Sequence, residues 1–258
     1  EPQVIAWVSY GTGEFPPNVN NPGSAPYEVA HTLLKAHARV YHTYDDKYRA
    51  SQGGVISLCL NIDWIEPKTP SNPRDLEAAD RYMQFLVGWF AHPVFKNGDY
   101  PEVMKWTVGN RSELQNLPSS RLPVFTAEER EYIRGTADVF CLNTYTAKLV
   151  THATTRLNPF SYEYDQEIST DVDSSWPTSA LAGHRAVAWG LRRLLNWVKE
   201  EYGNPPMYII ENGVGIKTKS DLDDHTRILY YKTYIDEALK GTNVCFYFVL
   251  YISPLHSC

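Results

Sequence analysis

Short apolar runs alternate along this chain with longer segments whose apolar residues recur every three to four positions, and that alternation constrains the fold more than any other feature. Val55-Ile56-Ser57-Leu58-Cys59-Leu60 is almost continuously apolar, as expected of a strand covered on both faces. It follows a predicted helix from Ser24 to about Arg49, with Val29, Leu33, Leu34, Ala36 and Val40 as its apolar stripe, closed by Gly53-Gly54. A second helix is expected from about Pro73 to Phe90. An irregular stretch should follow from roughly His92 to Val124, and Thr126-Ala127-Glu128-Glu129 reads as a capping box opening a short helix. Asp138–Asn143 is the next strand. After an irregular region over about 151–178 comes the most regular helix, with Val187, Leu191, Leu194, Leu195 and Val198 on one face and Gly203 at its end. Met207-Tyr208-Ile209-Ile210 is a last buried strand, and a helix capped by Asp224 runs to Gly241.

Strand, helix, strand, helix in this order argues for parallel βαβ units of an α/β protein. Three such units after a starting half unit fit a (β/α)8 TIM barrel better than a complete doubly wound sheet. The barrel expected here is incomplete, with roughly strands four to seven and their helices in residues 1–240 and a divergent tail in 241–258. A length of 258 residues with 43% hydrophobic content suffices for one large core. The net charge of -6 comes without any run of five or more like charges, which argues against nucleic acid as a partner. Four cysteines lack metal-ligand or CxxC spacing, so no metal or other cofactor is expected. No apolar run approaches the length that spans a bilayer, so any membrane attachment would come through segments other than these. Asn110-Arg111-Ser112 is an N-glycosylation sequon, for which a surface loop is expected.

Polar residues at the C-terminal ends of barrel strands line active sites. Glu211 directly follows Tyr208-Ile209-Ile210. An acidic group there faces either a polar cavity or solvent, and the residues alone leave both readings open. Asn143 and Tyr145 end the preceding strand in the same way. Trp64 and Trp176 suit the wall of a cleft and suit core packing equally well.

Tyr208-Ile209-Ile210-Glu211-Asn212-Gly213-Val214-Gly215 resembles the nucleophile motif on strand seven of the family 1 glycoside hydrolases. Asp138-Val139-Phe140-Cys141-Leu142-Asn143-Thr144-Tyr145 resembles that family's strand six, and Glu1-Pro2 with Gly11-Thr12-Gly13-Glu14-Phe15-Pro16-Pro17 resembles what surrounds its acid/base glutamate on strand four. The resemblance runs from Glu1 to about Lys240. It implies an O-glycosyl hydrolase in which Glu211 is the nucleophile, Glu1 the acid/base and Tyr145 the residue orienting Glu211, with Asn143, Trp64 and Trp176 against the sugar. The implied partner is a β-glucoside or β-galactoside, lactose-like disaccharides included, and the implied setting is the secretory pathway or the plasma membrane. Two departures are visible: Ile210 stands where the family often has Thr, and the family's strands one to three and eight have no counterpart in the motifs found. The isolated chain is therefore expected to be inactive or nearly so. The rival reading is a Klotho-type binding module that keeps the barrel without catalysis.

Overall fold

The computed structural model describes residues 1–216 and 224–241, together with the backbone of 246–248. Its longer helices are α1 (Ala25–Lys47), α2 (Pro73–Met83), α3 (Glu102–Leu114), α4 (Ala127–Ile133), α5 (Ala188–Tyr202) and α6 (His225–Lys240). The strands are β1 (Cys59–Asn61), β2 (Trp64–Pro67), β3 (Phe140–Asn143), β4 (Ala147–His152), β5 (Ile168–Asp171), β6 (Met207–Glu211) and β7 (Phe246–Phe248). The chain divides into two compact units, one of Glu1–Leu60, Pro67–Asp138 and Val150–Ser169, the other of Asn61–Glu66, Val139–Leu149 and the chain from Thr170 onward.

In the first unit α1 buries Tyr27, Ala30, Leu34 and Ala38, a stripe of period near 3.6. The buried line is rotated from the expected one, for Ala36 is exposed and so is Val40. Its rings pack into an aromatic core in which Trp89 stacks on Tyr162 at 4.7 Å and meets Tyr27 edge-on at 6.0 Å. The expected strand from Val55 forms only as β1, because the start of the run is tied elsewhere. The Ile56 N–H donates to the Asp138 carboxylate at 2.7 Å and the Ile56 carbonyl accepts from Asp138 N–H at 2.8 Å. Asp138 also accepts from Arg49 at 2.8 Å and from the Tyr41 hydroxyl at 3.0 Å. Burial alone would raise this carboxyl, but those three donors outweigh it and hold it below the ordinary range.

The expected second helix ends as an α-helix at Met83 and continues in wider turns over Gln84–Gly88. The stretch expected to be irregular beyond His92 contains α3, thirteen residues long. That helix buries Met104, Thr107, Val108, Arg111 and Ser112, so its inward face is half polar and carries little apolar periodicity. Arg111 and Arg121 converge instead on Asp165, which is fully buried and accepts from Arg111 at 3.1 Å, from Arg121 at 2.6 and 2.8 Å, and from the Tyr27 hydroxyl at 2.6 Å. Likewise β5 lies inside the region expected to be irregular over about 151–178, and β4 runs two residues into it. The capping box of α4 forms as expected, with Thr126 and Glu129 exchanging side-chain to backbone bonds at 3.1 and 3.0 Å.

The second unit is built on parallel pairing of β3 with β6 and of β6 with β7. α5 ends at Gly203, whose positive φ of 75° lets the chain turn back, and two prolines then lead into β6. α5 presents Leu191, Leu194, Leu195 and Val198 as its buried stripe, the residues read from the sequence. α6 starts where the Asp224 carboxylate accepts from Arg227 N–H at 3.0 Å. Cys59 and Cys141 are half-buried, and burial pushes the Cys141 thiol up. Cys245 and Cys258 lie outside the described residues, as do the other side chains of the tail.

Candidate active site

The site assembles in the second unit around the C-terminal end of β6. Met207 and Ile209 point into the core, and the strand emerges at Glu211, whose side chain is exposed. Parallel register pairs Phe140 with Met207, Cys141 with Tyr208 and Leu142 with Ile209. It then slips, so that Asn143 stands opposite Glu211 and Ile210 is skipped. An irregularity of this kind re-aims the side chains at the end of a strand, and such features concentrate beside active sites.

Three residues beyond the slip, the Tyr145 hydroxyl donates to Oε2 of Glu211 in a very short hydrogen bond. Thr144 N–H donates to the Glu211 carbonyl at 3.1 Å, so backbone and side chain both join the two strand ends. The backbone N–H and carbonyl of both Thr144 and Tyr145 are held by hydrogen bonds. One Asp63 carboxylate oxygen accepts from Tyr145 N–H and Thr146 N–H, each at 3.0 Å. The Tyr145 carbonyl accepts from the hydroxyls of Tyr230 at 3.0 Å and Tyr234 at 2.9 Å, both on α6. The Asn212 amide donates to the Thr144 carbonyl at 2.7 Å and to the Tyr230 oxygen at 3.1 Å. A backbone turn satisfied this completely has little freedom to carry Tyr145 away from Glu211.

Tyr230 and Tyr234 stack with ring centroids 4.0 Å apart. Burial, followed by the neighbouring Tyr234, pushes the Tyr230 hydroxyl far above its ordinary value. Burial pushes Tyr234 up to about 12. Both therefore remain protonated donors at any working pH. Val187 N–H at the start of α5 closes the set by donating to the Tyr234 oxygen at 3.0 Å.

Of the residues singled out from sequence, Glu211, Tyr145 and Asn143 are brought together here, and Asn143 is buried. Trp64 and Trp176 are tied to α5 instead. The Trp64 indole N–H donates to Glu66 at 2.7 Å, Glu66 pairs with Arg193 of α5, and Arg193 lies 4.7 Å over the ring of Trp189. Trp176 meets that same Trp189 edge-on at 5.8 Å. Glu1 belongs to the first unit, where it is exposed and its carbonyl accepts from Ile5 N–H at 3.2 Å at the start of a helical turn. Asn110 is exposed, on α3 and not on the loop expected for it.

Asp63, Asn212, Tyr230 and Tyr234 were not singled out. The tyrosines sit in the helical stripe of α6 and look like core rings in a sequence. Asp63, two residues beyond a strand, carried a readable signal because it is an acid at a strand's C-terminal end. Among the described residues no group of three His, Cys, Asp or Glu could hold a metal ion, and no helix is long and apolar enough to cross a membrane.

A family model described as glycosyl hydrolase family 1 matches residues 1–252, twelve residues past the limit at Lys240 expected from the motifs. Lactase/phlorizin hydrolase of Homo sapiens is 64% identical over 241 residues, which are 93% of this chain and 12% of that protein. Among solved structures, aphid myrosinase aligns with a TM-score of 0.86 at 37% identity, covering 96% of this chain and 54% of that one. A β-glucosidase from the fungus Humicola insolens in complex with glucose aligns with a TM-score of 0.85 at 31% identity, again over 96% of this chain and 54% of the other. The chain thus spans about half of each solved relative and a small part of the human protein.

Proposed function

The chain belongs to glycosyl hydrolase family 1, whose fold is the (β/α)8 barrel, and on that premise we propose that it carries both catalytic carboxylates of a retaining β-glycosidase. The observation that carries the reading is the Tyr145 to Glu211 hydrogen bond at the ends of two adjacent parallel strands, inside a segment matching the family's nucleophile motif. Glu211 attacks the anomeric carbon and forms a glycosyl ester, while the bond from that carbon to the leaving oxygen breaks and Glu1 supplies the proton the alcohol needs. Glu1, now ionised, takes a proton from water, which attacks the same carbon and returns Glu211 to a free carboxylate.

Tyr145 orients Glu211 by donating to the oxygen that does not attack. Asn143, opposite Glu211 in the register, is the polar group best placed for a sugar hydroxyl. Trp64 and Trp176, tied to α5, are not assigned to sugar contact. The substrate is a β-glucoside or β-galactoside. In this reading residues 1–240 hold strands four to seven of the barrel. The divergent segment 241–258 contributes β7 beside β6, and the isolated chain is inactive or nearly so. The intact protein belongs to the secretory pathway or the plasma membrane, a placement supported by the sequon at Asn110.

An activated 2-deoxy-2-fluoro-β-glucoside or galactoside tests the assignment on a protein that carries this chain within a complete barrel. Covalent mass on the peptide containing Glu211 is expected, and labelling of any other carboxylate would refute the nucleophile. A Klotho-type binding module would take up no label at all. Separately, release of p-nitrophenol from an aryl β-glucoside by the 258-residue chain would refute its inactivity alone.

A further inference from the structure

Asn110-Arg111-Ser112 is the only Asn-x-Ser/Thr triplet in the sequence, and its two ends meet opposite environments in the fold. Asn110 faces solvent on α3, one turn from Trp106 on one side and Leu114 on the other. Those flanking residues are 68% and 56% exposed, an apolar stripe with no protein cover among the described residues. Ser112, by contrast, is 1% exposed. Its hydroxyl donates to the Val108 carbonyl at 2.7 Å and accepts from Arg121 N–H at 3.1 Å. Arg111 between them is held by Asp165, Glu167 at 3.2 Å and the Arg156 carbonyl at 2.7 Å.

We propose that Asn110 carries an N-linked oligosaccharide that lies along the Trp106–Leu114 stripe, and that the chain accepts it only before α3 packs. In the transfer, the Asn110 amide nitrogen forms a bond to the anomeric carbon of an oligosaccharide joined to a polyprenyl diphosphate. The bond from that carbon to the diphosphate oxygen breaks, the diphosphate leaves with the electron pair, and the amide loses one proton to a base of the transferase. The reaction needs the hydroxyl two residues on as a recognition element. In the folded protein that hydroxyl is inside and already committed at both its donor and acceptor sites.

The order of synthesis leaves a window. The hydrogen-bond partners that Arg111 and the Ser112 hydroxyl take from outside α3 lie later in the chain: Arg121 is nine positions beyond Ser112, and Asp165 is 54 beyond Arg111. The triplet therefore emerges with its hydroxyl free and loses it when the Arg121 and Asp165 segments dock. Once attached, the sugar has an aromatic and an aliphatic face beside it, and apolar faces of pyranose rings pack on such surfaces.

The test expresses the 258-residue chain behind a cleavable secretion signal in a glycosylating eukaryotic cell and takes the retained and secreted pools together. The expected result is a glycan mass lost on treatment with peptide N-glycosidase, with conversion of Asn110 to aspartate, and no such mass in N110Q. An unoccupied Asn110 in both pools overturns the proposal. Timing is read with bacterial, unglycosylated chain offered to purified oligosaccharyltransferase: the urea-unfolded chain and a peptide spanning 104–116 should be modified and the native chain should not. Equal modification of native chain overturns the order. Cover is read from acrylamide quenching of Trp106, taken as the difference between the chain and W106F; it should rise on deglycosylation, and an unchanged difference overturns the placement of the sugar.

Discussion

The Tyr145 hydroxyl donates to Oε2 of Glu211 across the seam between β3 and β6, joining the two strand ends through their side chains as well as through their backbone. A hydrogen bond to a charged group is worth about 1.5–3 kcal/mol. In a protein that carries this chain within a complete barrel, Tyr145→Phe should lower kcat/KM for an aryl β-glycoside by roughly 10- to 100-fold, because the ester-forming oxygen loses its fixed orientation. KM should move little, since the hydroxyl meets the carboxylate and not the sugar. A change confined to KM in steady-state kinetics would remove Tyr145 from the role of orienting residue.

The clamp behind Tyr145 can be separated from Tyr145 itself. Tyr234 donates to the Tyr145 carbonyl and accepts from Val187 N–H, so Tyr234→Phe leaves a buried N–H without its partner. The expected loss is about 1–3 kcal/mol in urea or guanidinium unfolding. Tyr230→Phe should cost less, because the Tyr145 carbonyl keeps the Tyr234 bond. The two changes should also be non-additive, since the hydroxyls share one carbonyl. Strict additivity in the double-mutant cycle would show that the shared acceptor is not what holds the pair.

How far the sequence reveals this site depends on the kind of signal each residue carries. Glu211 and Tyr145 stand directly beyond buried apolar runs, where a polar residue is conspicuous, and the surrounding motif resembles that of a known family. Tyr230 and Tyr234 act through hydroxyls at the far end of rings that otherwise satisfy the helical stripe of α6, so pattern alone gives them to the core. α3 escaped notice for a related reason: its inward face is completed by Thr107, Arg111 and Ser112, whose burial is made possible by partners up to 56 positions away. Trp64 carries an ambiguous signal, since an aromatic beside a strand end suits a cleft wall and packing alike; its indole N–H donates to Glu66, which pairs with Arg193 of α5.

Asp165 is the tightest electrostatic centre of the first unit. Burial first, and then the charge of Asp165, push the Tyr27 hydroxyl well above 10, so it remains a donor to that carboxylate. Asp165→Asn keeps the volume but removes the carboxylate that Arg111 and Arg121 share. Breaking a buried pair from one side costs about 3–5 kcal/mol, since the remaining charges stay uncompensated. The urea midpoint should fall accordingly with an unchanged slope. A variant as stable as the parent would mean that Glu167 and the carbonyls of Gly23 and Arg156 neutralise the two arginines without it.

His37 supplies a pH dependence whose sign is fixed by its surroundings. Burial among the residues of α1 and its neighbours lowers the imidazole from the ordinary 6.5, while the bond from Nε2 to the Thr136 carbonyl at 2.6 Å opposes that shift without overcoming it. The neutral ring keeps its Nε2 proton on that carbonyl, so protonation at the other nitrogen adds a charge and no bond on this side. With the folded value below the unfolded one, the unfolded chain binds more protons as pH drops through 6.5. The contribution of His37 to stability is thus fully present above about pH 7 and declines as the pH falls below that. Unfolding free energy measured from pH 7.5 to 5 should decrease, and His37→Gln, which keeps an N–H donor without a titrating ring, should flatten that decrease. NMR titration of the His37 ring in the folded protein giving a value above 6.5 would reverse the sign and defeat the prediction.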